Sequence, residues 1–146
     1  MKNFVIHTDG GARGNPGPAA IGAVIEDEDG KVVKEISEYI GEATNNEAEY
    51  RAAITAIKKL KALVGKAEVK KSSVLLVADS ELLVKQMNGQ YKIESANTQK
   101  SFLELWNLKV DFGKVEFRHI PREQNKAADR LVNEALDAKE QVKQLF

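Results

Sequence analysis

Residues 4–40 read FVIHTDGGARGNPGPAAIGAVIEDEDGKVVKEISEYI, and the way this stretch divides decides the fold. Residues 4–8 are a short run of β-forming side chains. Gly10, Gly11, Gly14, Pro16, Gly17 and Pro18 break that run at once, so a first strand is expected to end in a loop with Asp9 at the junction. Residues 21–25 and 32–40 are two more β-rich runs. They flank Asp27-Glu28-Asp29-Gly30, whose Asp-Gly pair is a strong short-range hairpin signal. The chain therefore opens as three antiparallel strands.

Beyond them the period changes. Tyr50, Ile54, Ile57, Leu60 and Val64 recur at spacings of three and four, Thr44 and Glu47 form a capping box, and Gly65 offers a stop. This predicts an amphipathic helix. Residues 74–78, VLLVA, are a continuous apolar run of the kind found in a central strand covered on both faces, and Asp79 ends it. Ser80 can cap a helix through Met87 that stops at Asn88-Gly89. Phe102, Leu105, Trp106 and Lys109 predict another helix, with Trp106 and Phe102 in the core. Residues 115–120 form a final strand stopped by Pro121, and Ala128, Leu131, Val132, Ala135 and Leu136 mark a last helix. The order βββαβααβα implies one α/β domain over residues 1–146. Its sheet is mixed, three antiparallel strands followed by two parallel ones, with helices on both faces.

Composition narrows the function. A chain of 146 residues suits a single core, and 22 basic against 22 acidic residues leave no net field, so a nucleic-acid partner would be held by a local patch and by metal. The lack of cysteine removes disulfides, thiolate catalysis and cysteine-ligated zinc, and fits a reducing compartment. The first residues reach Asp9 before any secretory apolar core could form, and no apolar stretch of membrane-spanning length follows. A soluble cytoplasmic protein is expected.

Four acids stand apart from the charged surface runs: Asp9, Glu49, Asp79 and Asp129. Asp9 and Asp79 each end a strand, where ligands of α/β sheets gather. Glu49 lies in the first turns of its helix, where the dipole favours the ionised form, and Asp129 lies about 60° around the last helix from Val132, at the edge of its buried stripe. Carboxylates brought together repel, and at least one pKa rises unless a cation neutralises them. Hard oxygen donors without cysteine or paired histidine point to Mg²⁺ or Mn²⁺.

Plainer readings compete at each place. A lone strand-end aspartate is more often a turn former or helix cap. The glycine loop lacks both the P-loop and the dinucleotide spacing, and residues 26–29 lack the loop of an EF-hand, so the hairpin explains them as solvated surface. Lys58, Lys59, Lys61, Lys66, Lys70 and Lys71 could touch nucleic acid, but cations near a helix C-terminus favour the dipole and usually face water. His7, inside the first strand, reads as structural.

Four blocks in order carry a resemblance: TDGGARGNPGPAAIG at 8–22, TNNEAEY at 44–50, ADS at 78–80 and NKAADRLVNEAL at 125–136. Together they resemble type 1 ribonuclease H over nearly the whole chain, in a short form without the basic protrusion. The resemblance implies a ribonuclease H-like sheet and endonucleolytic cleavage of the RNA strand in an RNA–DNA hybrid, leaving 5′-phosphate and 3′-hydroxyl ends. It also implies two Mg²⁺ ions, with Mn²⁺ as a substitute. Asp9 would bridge them, Asp129 would help hold the one activating water, and Glu49 and Asp79 would hold the one beside the leaving oxygen. Cations roughly 3.5–4 Å apart can offset charge on both apical oxygens of an in-line displacement. RNA selectivity needs groups that sense the 2′-hydroxyl. Gly10, Gly11, Asn45 and Asn46 resemble the family's minor-groove readers, Thr44 a phosphate contact on the DNA strand, and Asn15 another substrate-facing position.

The chain also departs from many members. The segment from Lys92 to Val110 is short and not strongly basic, Glu81 stands where glutamine is frequent, and no long loop carries a histidine before the last helix. His119 and Arg122 are the auxiliary candidates. A monomer is expected, and the lack of a hybrid-binding domain before Asp9 suggests distributive action. The rivals are a noncatalytic hybrid-binding module and a transposase- or integrase-like nuclease of the same fold.

Overall fold

The turn at residues 27–30 closes as its residue types demand. Asp27 Oδ1 accepts from the N–H groups of Asp29 and Lys31 at 2.9 and 3.0 Å, folding β2 (Gly17–Glu26) back onto β3 (Val32–Ala43). The computed structural model describes residues 2–145. In it β1 (Lys2–Ala12) pairs antiparallel with β2 and parallel with β4 (Ser72–Ala78), which pairs parallel with β5 (Lys114–His119). The five strands lie in the order β3-β2-β1-β4-β5, the mixed sheet implied by the sequence.

β1 does not end at Asp9. Residues 9–12 stay paired with β2, Asp9 opposite Gly22 and Ala12 opposite Ala19, while pairing with β4 stops at Thr8 opposite Ala78. Gly10, which reads as part of a break, serves instead for close approach, and Gly22 does the same on β2. A Cβ on Gly10 would lie 2.2 Å from the backbone carbonyl carbon and oxygen of Ala48, and one on Gly22 would lie 2.3 Å from the carbonyl oxygen of Ala128. Gly10 therefore faces α1 (Asn45–Val64), whereas Gly22 faces α5 (Lys126–Leu145) across the other side of the sheet.

Helix α1 carries the capping box: Thr44 Oγ1 accepts from Glu47 N–H and Glu47 Oε1 accepts from Thr44 N–H, both at 3.1 Å. After Gly65 comes a single turn, α2 (Lys66–Val69), for which the sequence has no periodic signal because it is too short. Ser80 caps α3 (Glu81–Met87) and Ser95 caps α4 (Ala96–Asp111). α4 starts ahead of Phe102 because its first turns, ANTQKS, present no apolar repeat and are set by the cap alone. α5 runs nine residues past Leu136, and that extension is exposed throughout, its apolar residues Ala138, Val142 and Leu145 included.

The larger core lies between the sheet and α1, α3 and α4, with Ile6, Ile25, Ile57, Leu60, Leu76, Leu83 and Leu105 all buried. Ala20, Val132 and Leu136 form a smaller cluster under α5. Trp106 is not core. It is 41% exposed, stacked on Phe102 with centroids 5.8 Å apart and overlaid by Lys109 Nζ at 4.7 Å. Helical spacing explains the exchange, since Leu105 fills the inward position and the next residue turns about 100° away from it. Leu105→Ala should therefore cost about 2–5 kcal/mol in urea unfolding. Trp106→Ala should cost much less, and an equal loss for the two variants would contradict this placement.

The lysine run joins helices more than it offers a basic face. Lys58 pairs with Glu104 and Lys61 with Asp111, each at 2.8 Å, and Lys70 Nζ donates to Val110 O at 2.9 Å, so three of these side chains are engaged by α4. His7 pairs with Glu26 at 3.3 Å within the sheet, in keeping with a structural role. Among the described residues no helix is long and apolar enough to cross a membrane.

Candidate active site

The site forms where β1 and β4 part. Up to Thr8 and Ala78 the two strands share a ladder; one step further Asp9 continues along β2 while Asp79 turns into the loop before α3. Alternation puts both aspartates on the side of the sheet that faces α5. Glu49 reaches the same point from α1, where its Oε1 accepts a short hydrogen bond from Gly10 N–H. Asp129 comes from the first turn of α5 and lines the same cleft, outside the tighter group of the other three.

One carboxylate oxygen from each of Asp9, Glu49 and Asp79 falls within 4.8 Å of the others. Asp9 and Glu49 are buried, and both titrate high. Burial, followed by the charge of Asp79, pushes Asp9 up to about 7. Burial, followed by the charge of Asp9, raises Glu49 well above its ordinary value, with the Gly10 N–H opposing it. The helix dipole favours the charged form of Glu49, but burial at 9% exposure and the charge of Asp9 push its pKa the other way. Three crowded carboxylates, two of them buried and with pKa values pushed up, and no other donor type in the cluster fit a hard divalent cation that would complete the charge balance.

The quartet opens into a cleft of about 690 Å³ that also reaches Gly10, Gly11, Asn15, Asn45, Asn46 and Arg122. Asn15 Oδ1 accepts from Asn45 N–H at 3.0 Å and Asn45 Oδ1 accepts from Ala12 N–H at 2.9 Å, which ties the glycine loop to the start of α1. Asn46 Nδ2 donates to Thr98 Oγ1 at 3.1 Å, while its Oδ1 is buried with no partner among the described residues. Arg122 Nη2 stands 3.8 Å from Asp129 Oδ1. Thr44 and His119 are outside the cleft lining. The Thr44 hydroxyl is taken up by the cap of α1. His119 is close enough to Glu81 to add to the lowering of that carboxyl's pKa, which Lys85 chiefly causes. Glu81 itself is paired with Lys85 four residues on, at 2.5 Å.

Arg13 has no sequence signal as a site residue, yet it lines the cleft. Its guanidinium meets Glu140 and Asp137 at 2.7 Å each and Asn133 at 3.2 Å, clamping the glycine loop to α5. Those partners lie at least 120 residues away along the chain, beyond any local pattern.

A sheet ordered β3-β2-β1-β4-β5, with acids from β1, α1, the end of β4 and α5 meeting beside the central parallel pair, defines the ribonuclease H-like class. Comparison with known proteins gives the same answer. The family model described as reverse transcriptase-like matches residues 7–135. A ribonuclease H of Erythrobacter litoralis is 35% identical over 151 residues, covering 94% of this chain and 98% of that protein. The crystal structure of LC11-RNase H1 in complex with an RNA/DNA hybrid superposes with a TM-score of 0.88 at 47% identity, covering 93% of this chain and 98% of that one. A bifunctional protein of Mycobacterium tuberculosis is 42% identical over 135 residues, 92% of this chain, which spans only 35% of that protein's length. The chain belongs to the ribonuclease H family, and its structural neighbours are type 1 enzymes of that family.

Proposed function

We propose that this chain is a Mg²⁺-dependent endonuclease that hydrolyses the RNA strand of RNA–DNA hybrids, leaving 5′-phosphate and 3′-hydroxyl ends. One observation carries the reading: Asp9, Glu49, Asp79 and Asp129, from four separate elements, line one cleft, and a carboxylate oxygen from each of the first three lies within 4.8 Å of the others. Asp9 would lie between two cations, with Asp129 on the side of the attacking water and Glu49 and Asp79 on the side of the leaving oxygen. Bound there, such cations would acidify water and offset charge on both apical oxygens.

The chain's own groups supply position. Gly10 N–H is engaged by Glu49, which leaves the other peptide groups around Gly10 and Gly11 to meet a 2′-hydroxyl. Asn45 and Asn46 line the same floor with Asn15, a further substrate-facing position, and Arg122 is assigned to a phosphate beside them; Thr44, at the cap of α1 outside the lining, is assigned to a phosphate of the DNA strand. His119, outside the lining, takes no part in this assignment. The protein acts as a cytoplasmic monomer, with Mn²⁺ able to replace Mg²⁺.

Labelled duplexes test the reading. With Mg²⁺ the hybrid should be cut in its RNA strand while single-stranded RNA and duplex DNA remain intact, and chelation with EDTA should stop cleavage. A protein that holds the hybrid in Mg²⁺ without product would be a noncatalytic binder. One that cuts duplex DNA equally well would belong with the strand-transfer nucleases of this fold.

A further inference from the structure

Where β4 leaves β1, the ladder on that edge loses its partners just at the acid that the proposed cations would share. Backbone groups of alternate residues point to the same edge, so Thr8 and Gly10, on either side of Asp9, both face the gap. Two side chains fill it. Glu49 takes Gly10 N–H, and Asn125 Nδ2 donates to Thr8 O at 2.8 Å. Asn125 is 1% exposed, and its Oδ1 is buried with no partner among the described residues. An unsatisfied buried amide oxygen is costly, so the side chain is held by its single bond to β1 against an opposing penalty. The same residue also reaches the fourth acid, because Asn125 O accepts from Asp129 N–H at 3.1 Å and so begins the first turn of α5.

From this we infer that Asn125 is a positioning residue for the metal-binding pair Asp9 and Asp129. Its amide fixes the strand one residue before Asp9, and its carbonyl fixes the turn that carries Asp129. One residue thus spans both ligands from below and sets their separation. It touches neither substrate nor reacting atoms. Groups that orient metal ligands from behind typically cost about 10–100-fold in metal affinity when removed.

This inference rests on the metal reading above, and the experiment separates the two. Wild type, Asn125→Ala and the milder Asn125→Ser, which admits a water to the Thr8 carbonyl, are titrated calorimetrically with Mn²⁺ in the absence of substrate. Leu105→Ala, a core variant on α4 distant from the cleft, serves as a control for general destabilisation. Cleavage is then measured across Mg²⁺ concentrations. The expected result is a metal affinity at least about tenfold weaker in both Asn125 variants, with Leu105→Ala unchanged. Activity should recover in part with excess Mg²⁺, and KM for the hybrid should stay within about twofold of wild type. Asn125 variants that melt lower yet bind Mn²⁺ as wild type does would overturn the inference alone. A wild type that takes up no Mn²⁺ would overturn the metal reading and this inference with it.

Discussion

Asp9→Asn should abolish hybrid cleavage, by roughly a thousandfold or more, and at the same time make the metal-free protein more stable at pH 8. The two effects share one cause. Asp9 is 8% exposed and faces Asp79, so its carboxyl is pushed from 3.8 up to about 7. A folded-state pKa above the unfolded one means that the native protein holds a proton the unfolded chain has released. Stability from this group is complete below about pH 4 and is lost as pH rises through about 7. A shift of this size corresponds to on the order of 4 kcal/mol as an upper limit, because the neighbouring acids share it. Asparagine keeps the shape and removes the charge, so it should recover a part of that amount at pH 8 and little at pH 4. Urea unfolding in EDTA should show wild type weakening from pH 5 to pH 8 while the variant changes less, and Mg²⁺ should restore wild type alone. A flat wild-type profile would contradict the assigned burial, and a variant that still cuts would remove Asp9 from the machinery.

The same balance explains why function was easier to read from the sequence than local geometry. Element order, the hairpin, the Thr44 cap and the four acids are all encoded within windows of a few residues, where period and turn chemistry act. The features that escaped depend on distance in space. Gly10 reads as part of a break because glycine marks turns and close approaches alike, and only the position of Ala48 tells the two apart. Glu49 reads as dipole-stabilised because its place in the helix is local, whereas the burial that raises its pKa comes from the packed sheet. Trp106 reads as core because the repeat gives a stripe and not its edge. Arg13 and Asn125 gave no local signal because their partners lie on elements far along the chain, on α5 for the first and β1 for the second.

Gly10→Ala should be the most damaging single methyl added to this chain. The residue lies in extended strand, so the cost is not one of backbone conformation. The new Cβ would sit 2.2 Å from the carbonyl carbon and oxygen of Ala48 and 2.5 Å from the Glu49 nitrogen, and all three are backbone atoms of α1. Neither side can yield by rotating a side chain. The strand is held by its pairing with β2, Gly10 opposite Ile21, and α1 is held by Ala52, Ala53, Ile57 and Leu60 in the core. Overpacking of ordinary cores costs about 1–3 kcal/mol, and a collision between two pinned backbones belongs at or beyond the top of that range. If the protein still folds, it must do so by moving the start of α1 away from β1, which carries Glu49 off Gly10 N–H and out of the cluster with Asp9 and Asp79. Cleavage is then lost even in the folded fraction. Gly30→Ala is the informative contrast: it lies in the β2–β3 turn at φ 78 with nothing within 4 Å of a Cβ. It should cost only roughly 1–2 kcal/mol of left-handed strain and keep its activity. Urea midpoints and cleavage rates for the two variants decide the point, and a Gly10→Ala protein matching Gly30→Ala in both would show that α1 does not meet the sheet as closely as its glycine requires.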